Sequence, residues 1–586
     1  MEINKQGIWK KKPINPSKLP KEMLAFIEKE AECFLTNRAK EPSFQSFRHF
    51  HKNGDRQLFE SEYFDRRKRL TTFGLLSYLH PNEFIYIEEL ENQIWQICQE
   101  FTWCLPAHLH MEREGQTYED YRISQSLHYS IDLFAAETAF TLAEIHHIFQ
   151  DRLDPFLIEK IKIEIDRRVI AIYLDNGPYE WEEATHNWAA VCAGSIGAAA
   201  LYLVSDRSVL RSILARVFQT MECYLQGFEE DGACTEGYSY WQYGFGYFLY
   251  FLDLYEQATG ETSRLLSRDK VHKIAQFQQN IFLSSNFVVN FSDAIPMAKP
   301  MLGFSHYLYH KWNDIHLPAR EHGQFQIIDH CGRWAPAFRE LSWYDSKLPG
   351  NNWPEKTVLF DESMIFLSRI SIYAFAAKGG HNAEPHNHND IGHFILLGGN
   401  EIFLKDLGAG QYHKDYFNDK RYDFICTSAA GHSIPIINGK FQRDGKEYKA
   451  IPLKSDFSKD EDIWQLALEQ TYPEPTLLAY NRRFHWKKTA KPRLFLTDVF
   501  QFKKQPSSII ESFILEDRSY RLFDDYILFE GEEQSLKFIF DSQLTPIIEQ
   551  QFFTNHQGEQ EGFLRVQFPL VDLEQEIEVI FTLEFC

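Results

Sequence analysis

The feature that most constrains the fold is a change in the pattern of apolar residues near Leu348-Pro349-Gly350. Before this point, apolar residues recur at three- and four-residue steps, as in Asn82–Phe101, and this spacing predicts amphipathic helices. After it, apolar residues come in short runs of strand length that are bounded by Gly, Asp or Lys. We therefore expect a helical region followed by a β region.

The helical pattern extends from about residue 20 to residue 340. Short loops with Gly, Pro, Asn or Asp separate helices of similar length. Helical hairpins of this kind stack into an incomplete toroid or a solenoid. The sequence has no strict repeat, so the toroid is inferred from the fold class and not from a repeat.

The β region is rich in Ile, Phe, Val and Tyr, and its short runs predict an antiparallel sandwich. A chain of 586 residues is also too long for one hydrophobic core. We predict an incomplete (α/α) toroid over residues 1–350, a central antiparallel β-sandwich with a metal site over 351–500, and a C-terminal β-sheet region over 501–586.

The formal net charge is −22, which argues against nucleic acid or an anionic membrane as a partner. It does not exclude a small anionic substrate, because a binding site needs only a few local cations. The bulk charge would not attract a long polyanion, so it favours oligosaccharides over polymers. Aromatic residues make up 15% of the chain, and we assign most of them to the core, although such rings also form platforms for sugars.

The N-terminus has basic residues but no apolar core segment and no cleavage site, so it does not resemble a signal peptide. No apolar run is long enough to predict a transmembrane helix. The nine cysteines are scattered, odd in number and without a CxxC pair, which suits a reducing compartment. We expect a cytoplasmic protein, and we allow for a homodimer.

The densest group of chemically active residues is the segment GGHNAEPHNHND, residues 379–390. In an extended chain, His386 and His388 point to the same side, so one could bind a metal while the other exchanges protons. Neutral imidazole suits zinc, and a carboxylate with a second histidine would complete a three-ligand site. Asp406 and His432 lie downstream as candidates. The alternative is that these histidines hydrogen-bond loop backbone.

A second group is the segment DGACTEGYSYWQYGFG, residues 231–246. On a helix that begins near Glu236, Tyr240 and Tyr243 share one face and Trp241 lies to one side. A tyrosine with a cationic or metal neighbour can exchange protons, because its ordinary pKa of about 10 is lowered there. The alternative is an aromatic core or a sugar-stacking stripe.

A third group surrounds His186-Asn187-Trp188, where a helix rich in small residues begins. Asn187 as the N-cap is the default interpretation, and the functional alternative is that His186 and Asn187 hold a substrate carboxylate. His108 is a candidate for the wall of a site. Arg421 and Gln442 are candidates for binding sugar carboxylate, sulfate or hydroxyl groups, although surface ion pairs are commoner.

Several other functions lack the residues that they need. No Walker loop, GxGxxG unit, GxSxG elbow or HExxH helix is present in the sequence. A toroid glycoside hydrolase would need two opposed carboxylates, for which Asp231 and Glu236 are available, but it would leave the histidine-rich segment unexplained. A non-catalytic carbohydrate-binding protein with structural zinc stays open as well.

Taken together, these segments resemble the heparinase II/III-like polysaccharide lyases. The resemblance rests on HNHND-x-GHF, GNEIFLKDLGAGQY and GHSIP–NGKFQ in the β region, and on WCLPAHLH, HNW and DG-xxx-EG-xx-YWQYG in the helical region. It extends over most of residues 80–450. It implies an (α/α) toroid joined to antiparallel β-sandwich layers.

The resemblance also implies roles for individual residues. It makes His386 and Tyr240 the acid–base pair, with Tyr240 favoured as the acid. It makes Asn187, with His186, the group that neutralises the substrate carboxylate. The implied zinc ligands are His388, Asp406 and His432. The candidate substrate contacts, which come from the sequence itself, are Glu236 and the residues named above: His108, Trp241, Tyr243, Arg421 and Gln442.

The implied activity is β-elimination in a uronic-acid-containing oligosaccharide or polysaccharide, which leaves a 4,5-unsaturated uronate at the new end. Zinc would organise the loops and position His386, because no water attacks in elimination. A glycosaminoglycan-type substrate is favoured, and alginate or oligoalginate cleaved by the same mechanism is the alternative.

Overall fold

The fold is described from a computed structural model that covers residues 14–109, 130–412 and 414–586. The basic segment at the N-terminus and His110 of WCLPAHLH lie outside the described residues. The chain forms two compact units. The helical unit comprises Met1–Phe228, Tyr240–His272 and Pro300–Asn351, and the β unit comprises Glu229–Ser239, Lys273–Lys299 and Asn352–Cys586.

The α-helices of the described chain have the following bounds: α1 Lys21–Thr36, α2 Phe44–Asn53, α3 Gln57–Leu79, α4 Phe84–Cys98, α5 Leu133–Phe149, α6 Pro155–Ile165, α7 Ala171–Asp175, α8 Asn187–Leu203, α9 Arg207–Gln226, α10 Tyr238–Thr259, α11 Asp269–Ala275, α12 Phe277–Ile281, α13 Leu302–Lys311 and α14 Trp334–Ser342. A π-helical turn at Asp166–Ile170 joins α6 to α7. Among the described residues, no helix combines the length and apolar character needed to cross a membrane.

Helix α8 packs closely in the helical unit because its side chains are small. A Cβ atom at Gly194 would lie 2.8 Å from the Tyr247 carbonyl oxygen, and one at Gly197 would lie 2.6 Å from the Phe251 ring. Both neighbours belong to α10, so the glycines allow α8 and α10 to approach closely. This contact places the start of α8, where Asn187 lies, beside α10.

The strands of the β unit follow in chain order. Their bounds are β1 Phe282–Ser284, β2 Phe287–Val288, β3 Lys356–Phe360, β4 Ile365–Ile370, β5 Tyr373–Lys378, β6 His381–Asn382, β7 Phe394–Gly398, β8 Glu401–Leu404, β9 Ile436–Ile437, β10 Gly445–Lys449, β11 Ile451–Phe457, β12 Glu461–Ala467, β13 Leu477–Lys487, β14 Arg493–Phe502, β15 Ile509–Glu516, β16 Tyr520–Leu522, β17 Tyr526–Glu530, β18 Ser535–Ile539, β19 Ile547–Thr554, β20 Gln560–Pro569 and β21 Glu576–Phe585.

Two large antiparallel sheets are built from these strands. One has the order β11-β12-β13-β14-β21-β18-β17-β16, and the other has the order β19-β20-β15-β8-β7-β5-β4-β3 with β9 beside β15. Alternate residues of β13 and β14 are buried, as a strand with one covered face requires. The predicted fold class, a helical toroid followed by antiparallel β-sandwich layers, is confirmed.

The structure differs from the sequence analysis in several local features. The short hairpin β1–β2 lies in a stretch expected to be helical, and residues 229–239 and 273–299 cluster with the β unit. The helix expected over Asn82–Phe101 is shorter, Phe84–Cys98. Strands after residue 500 join the same two sheets as strands before it. Apolar periodicity does not report such pairings, because they depend on distant segments of the chain.

A buried arginine fixes the loops at one end of the sandwich. Arg482 on β13 is 0% exposed and donates to the Asp498 carboxylate at 2.6 Å. Its Nη1 atom donates to the carbonyl oxygens of Gly392 at 2.9 Å and Ser433 at 2.7 Å. One side chain therefore ties the loop before β7 and the loop before β9 to the same strand.

The sandwich core gives a first prediction. Phe513 on β15 is fully buried and its ring lies 4.9 Å from Phe538 and 5.0 Å from Phe581, both on the opposite sheet. Phe513→Ala should lower the stability of the β unit by about 3–5 kcal/mol, because it removes a large buried ring and leaves a cavity. Calorimetry should show the matching fall in the midpoint of unfolding. Phe552→Ala, at a ring that is 58% exposed, is the control and should change stability by less than about 0.5 kcal/mol. Equal effects of the two substitutions would contradict this core assignment.

Candidate functional site

The histidine-rich segment includes β6, on which His381 lies, and continues into the loop between β6 and β7 of the β unit, which holds His386 and His388. Gln442 holds this loop through both ends of its amide, which accepts from the Ile391 N–H at 3.1 Å and donates to the Ile391 carbonyl at 2.7 Å. Asn389 donates its backbone N–H to Thr427 at 3.0 Å. With Arg482 on the Gly392 carbonyl, these bonds fix the loop without any helix or strand inside it.

Four buried side chains from three loops converge beside this segment. They are His388, Asp390, Asp406 and His432, and one ligand atom from each lies within 4.8 Å of the others. Each is at most 1% exposed. The structure therefore brings together the three predicted metal ligands and adds Asp390, which the sequence analysis did not assign to the metal.

The polar atoms of this cluster fit a cation. Nδ1 of His388, Oδ2 of Asp390 and Nε2 of His432 are buried and have no hydrogen-bond partner among the described residues. Within the described chain, Oδ2 of Asp406 has only two longer contacts, with Nε2 of His393 at 3.3 Å and Nδ1 of His432 at 3.5 Å. Leaving such an atom unpaired costs about 1–3 kcal/mol, so a group of them in one place calls for a ligand. Imidazole nitrogens and carboxylate oxygens are the donors that Zn²⁺ takes.

The electrostatics of the cluster favour the protonation states that a cation requires. Burial alone would raise the pKa of Asp406, but the imidazoles of His432 and His393 hold that pKa well below its usual range. Burial lowers the pKa of His388. An ionised carboxylate and a neutral imidazole are the metal-binding forms of these side chains. Asp390 accepts from the Lys378 ammonium at 2.7 Å through Oδ1, which leaves Oδ2 for the cluster.

Asp293, in the loop after β2, lies under both histidines of the HxH element. Its Oδ2 atom is 2.8 Å from Nδ1 of His386 and 2.9 Å from the Arg421 guanidinium. Its Oδ1 atom is 3.0 Å from Nε2 of His388 and 2.8 Å from the Tyr416 hydroxyl. Burial alone would raise the pKa of Asp293, but bonds from the two histidines and the charge of Arg421 hold it far below its usual range.

His386 is held in an uncommon backbone conformation. Its φ of 56° lies in the left-handed region, which residues other than glycine adopt rarely and which clusters at functional sites. Its side chain is 23% exposed, so part of the ring is accessible. Nε2 lies 3.5 Å from the carboxyl of Glu236, in the same unit.

Two predicted substrate contacts in the β unit are occupied by protein. The Arg421 guanidinium donates to Asp293, to the Asn387 carbonyl at 3.0 Å and to the Tyr416 carbonyl at 3.2 Å. The Gln442 amide hydrogen-bonds to the backbone N–H and carbonyl of Ile391, as described above. Both side chains shape the loops around His386 in this structure through these bonds.

The start of α8 differs by one residue from the default interpretation. The N-cap residue is His186, whose side chain makes no capping bond, and Asn187 is the first residue of the helix. Asn187 was expected to be the cap, and helix ends are commonly displaced by a residue in this way. Asn187 is 6% exposed, and no hydrogen bond to its side-chain amide is found among the described residues. Gly244 of α10 approaches Asn187 so closely that a Cβ atom there would lie 3.1 Å from the Asn187 Cβ.

Tyr240 lies one helical turn before Gly244 and is half-buried. Asn187 at the start of α8 therefore lies against α10 one turn after Tyr240. Trp241, in contrast, is 0% exposed and packs at 5.8 Å on Phe245. A fully buried indole has no face for a sugar, so Trp241 is a packing residue here.

The other two candidates of the helical unit are engaged by ionic side chains. Tyr243 donates to the buried Glu137 carboxyl, and burial raises the pKa of Tyr243 well above its usual value. His108 donates from Nδ1 to Asp132 at 2.8 Å, and its Nε2 lies 3.3 Å from the Arg56 guanidinium. Both ring nitrogens of His108 are thus in use, which suits a wall residue and not a proton carrier.

Sequence reasoning missed Asp293 and Tyr416, and it left Asp390 without a role. Asp390 carried a signal, since it follows His388 by two residues and so shares its side of an extended chain. Asp293 carried no such signal, because it lies 93 residues before His386 and 95 residues before His388 in the chain. Only the tertiary fold brings it there.

Comparisons with known proteins bear on the fold. No protein-family model and no curated protein sequence matches this chain. A heparinase III gene product has a TM-score of 0.61 at 13% identity, over 98% of this chain and 87% of its own. A heparan sulfate lyase mutant from Pedobacter heparinus has a TM-score of 0.60 at 11% identity, over 100% and 86%.

A third solved structure extends the likeness. Chondroitin AC lyase from Streptomyces coelicolor A3, in complex with chondroitin sulphate, has a TM-score of 0.53 at 11% identity, over 97% of this chain and 79% of its own. At these identities the likenesses show the fold. The resemblance to heparinase II/III-like lyases that the motifs indicated is confirmed at that level.

The carboxyl beside His386 gives a second prediction. Burial raises the pKa of Glu236 to about 7, from an ordinary value of 4.5. Between those pH values the folded protein keeps a proton that the unfolded chain releases, so this group lowers stability as the pH rises. Glu236→Gln should therefore gain stability over the parent from pH 4.5 to 7, by at most about 3 kcal/mol, and then level off.

Thermal unfolding across that pH range measures the difference. Glu229→Gln, at an exposed carboxyl of the same segment, is the control and should show a difference that hardly changes with pH. A pH-independent difference for Glu236→Gln would contradict a pKa raised by burial of this carboxyl.

Proposed function

We propose that this protein is a lyase that cleaves uronic-acid-containing glycans by β-elimination and leaves a 4,5-unsaturated uronate. One observation carries the proposal. His386 is bonded through Nδ1 to the buried Asp293 carboxylate, which leaves Nε2 as the proton acceptor beside a cluster of buried metal-type ligands. The likeness of the fold to heparinase, heparan sulfate lyase and chondroitin lyase structures supports the reaction class.

The first requirement of the reaction is a neutralised carboxylate. The proton at C5 of a uronic acid is weakly acidic, because the adjacent carboxylate resists further negative charge. A well-placed hydrogen-bond donor on that carboxylate lowers the barrier by about 3–4 kcal/mol. The Asn187 amide has no partner among the described residues and so suits this role, with His186 preceding it.

The second requirement is a base and an acid. The base removes the C5 proton, the electron pair of that bond forms the C4=C5 double bond, and the C4–O4 bond breaks as O4 takes a proton. Each transfer contributes about 10²–10⁴-fold. We assign His386 and Tyr240 to these roles, with Tyr240 favoured as the acid. His386 is 23% exposed and Tyr240 is half-buried, so neither is closed off from a ligand.

The buried cluster would hold a cation, for which we propose Zn²⁺. His388, Asp406 and His432 would bind it as predicted, and Asp390 would add a fourth protein ligand. Sites closed by four protein ligands are structural, whereas catalytic zinc keeps an open position. The ion would therefore fix the three loops, and His388, two residues after His386, would fix the base. No step of the elimination needs the ion to activate water.

The alternative function, a glycoside hydrolase, would need Asp231 and Glu236 as its two catalytic carboxylates, but Asp231 has a structural role. Asp231 accepts from the backbone N–H groups of Glu362 and Ser363, at 3.0 and 2.7 Å, and from the Ser363 hydroxyl at 3.0 Å. These bonds make Asp231 the cap of the β3–β4 turn. A simple sugar-binding protein loses the Trp241 platform, since that ring is buried.

The proposed substrate is an anionic oligosaccharide or polysaccharide, with the glycosaminoglycan type favoured over alginate. The support is that the named neighbours are heparinase, heparan sulfate and chondroitin lyases. A homodimer, a cytoplasmic location and the absence of nucleic-acid and membrane partners stay predictions from the sequence.

Substitutions of two histidines in the loop between β6 and β7 test the site. With a panel of uronate oligosaccharides, the parent should produce the ultraviolet absorbance of the unsaturated product. His386→Ala should abolish turnover and keep its metal, because only the base is removed. His388→Ala should lose both metal and turnover, because a ligand is removed. Turnover from absorbance and metal content by elemental analysis provide the two readouts.

His381→Ala is the matched control in the same segment. His381 is part-exposed and lies 3.2 Å from Glu384, away from the cluster in its contacts, so turnover and metal content should stay near those of the parent. Full activity in His386→Ala would contradict its assignment as base. A parent protein that is inactive on every glycosaminoglycan and alginate oligosaccharide would contradict the proposed function.

A further inference from the structure

The Asp293 carboxylate constrains the protons of two imidazoles at once. An ionised carboxylate only accepts hydrogen bonds, so each ring nitrogen that contacts it must carry a proton. Oδ2 takes the proton of Nδ1 of His386, and Oδ1 takes the proton of Nε2 of His388. When both rings are neutral, these two bonds therefore require opposite tautomers.

For His388 the consequence falls on the cation site. With the proton on Nε2, the lone pair lies on Nδ1, which is the buried atom without a partner in the cluster. A carboxylate that holds the far nitrogen of a ligating histidine orients the ring and strengthens it as a ligand. The opposite tautomer would present an N–H group to the cation.

For His386 the consequence falls on the base. With the proton on Nδ1, the lone pair lies on Nε2, which is not bound to Asp293 and lies 3.5 Å from the Glu236 carboxyl, a group whose pKa burial raises to about 7. The opposite tautomer would turn an N–H group toward the C5 proton and could not remove it. A comparable carboxylate–imidazole pair orients the base in hydrolytic triads.

We propose that Asp293 is a positioning residue that sets both tautomers, so that one carboxylate prepares His388 for the cation and His386 for proton abstraction. The half that concerns His386 rests on the proposed function, whereas the half that concerns His388 rests on metal binding alone. Asp293 itself contacts neither the substrate nor the reacting atoms.

Asp293→Asn separates the two halves because an amide has one accepting oxygen and one donating nitrogen. The amide nitrogen would be repelled by the Arg421 guanidinium at the Oδ2 position. At the Oδ1 position it can donate to the Tyr416 hydroxyl, which also accepts from the Gly410 N–H at 3.1 Å. The amide should therefore keep its oxygen on the His386 side and turn its nitrogen toward His388.

That orientation predicts a specific defect. The His388 ring would have to accept through Nε2 and carry its proton on Nδ1, the nitrogen needed for the cation. Zn²⁺ affinity should fall about 10- to 100-fold, as measured by competition with a chromophoric chelator. In the Co²⁺-loaded protein, the visible absorption bands should change in position or intensity. At saturating Zn²⁺, kcat should recover much of its value and KM should stay near that of the parent.

Tyr416→Phe is the matched control, since it removes the other donor to Oδ1 but leaves both imidazole contacts in place. Its Zn²⁺ affinity should stay within about threefold of the parent, below the range expected for loss of an imidazole contact. Circular dichroism of the metal-free proteins checks that both variants fold. If Asp293→Asn does not fold, Asp293→Glu, which keeps the carboxylate, takes its place and should weaken Zn²⁺ less than His388→Ala does.

The outcomes separate this inference from the proposed function. Parent-like Zn²⁺ affinity in a folded Asp293→Asn, or an equal loss in Tyr416→Phe, would overturn the role of Asp293. Absence of lyase activity in a parent protein that binds Zn²⁺ would overturn the proposed function, and the affinity comparison would still decide on Asp293. A parent protein that binds no Zn²⁺ would overturn both the proposed zinc site and the proposed effect of Asp293 on His388.

Discussion

Arg482 lies buried in the sandwich, and its positive charge holds two loops that carry residues of the candidate site. A buried charge is costly unless its donors are paired. Asp498 pairs part of the guanidinium, and the carbonyl groups of Gly392 and Ser433 pair another part. Gly392 belongs to the histidine-rich loop and Ser433 follows His432. The two loops therefore satisfy a charge of the core, and their conformation is coupled to the stability of the β unit.

The donors of Arg482 are paired, whereas several buried polar atoms of the neighbouring metal-type cluster are not. The cluster around His388, Asp406 and His432 leaves buried donors and acceptors unpaired, and His386 holds a left-handed backbone conformation. Unpaired buried polar atoms and strained backbone conformations occur mainly where a protein binds a ligand or carries out a reaction. The unpaired atoms are of the types that bind Zn²⁺, and Asp293 supplies the support that ligating histidines usually have. The bonds that stabilise these loops and the candidate site therefore lie in the same part of the β unit.

The sequence predicted the parts of this arrangement that depend on local spacing. The HxH element placed His386 and His388 together, and the change of periodicity placed the β region. It could not find Asp293, because that contact depends on two segments far apart in the chain. It could not tell that Trp241 is buried, because a core ring and a sugar platform have the same spacing on a helix. The shift from Asn187 to His186 as the N-cap reflects the usual uncertainty of helix ends.

The central claim is that the bond is broken by elimination and not by hydrolysis. Its most direct test is cleavage of a uronate oligosaccharide in water enriched in heavy oxygen, followed by mass spectrometry of the fragments. Elimination adds no water, so the fragments together should have the mass of the substrate, one should carry the unsaturated end, and none should contain heavy oxygen from the solvent. Incorporation of one heavy oxygen per cleaved bond would show hydrolysis and contradict the account.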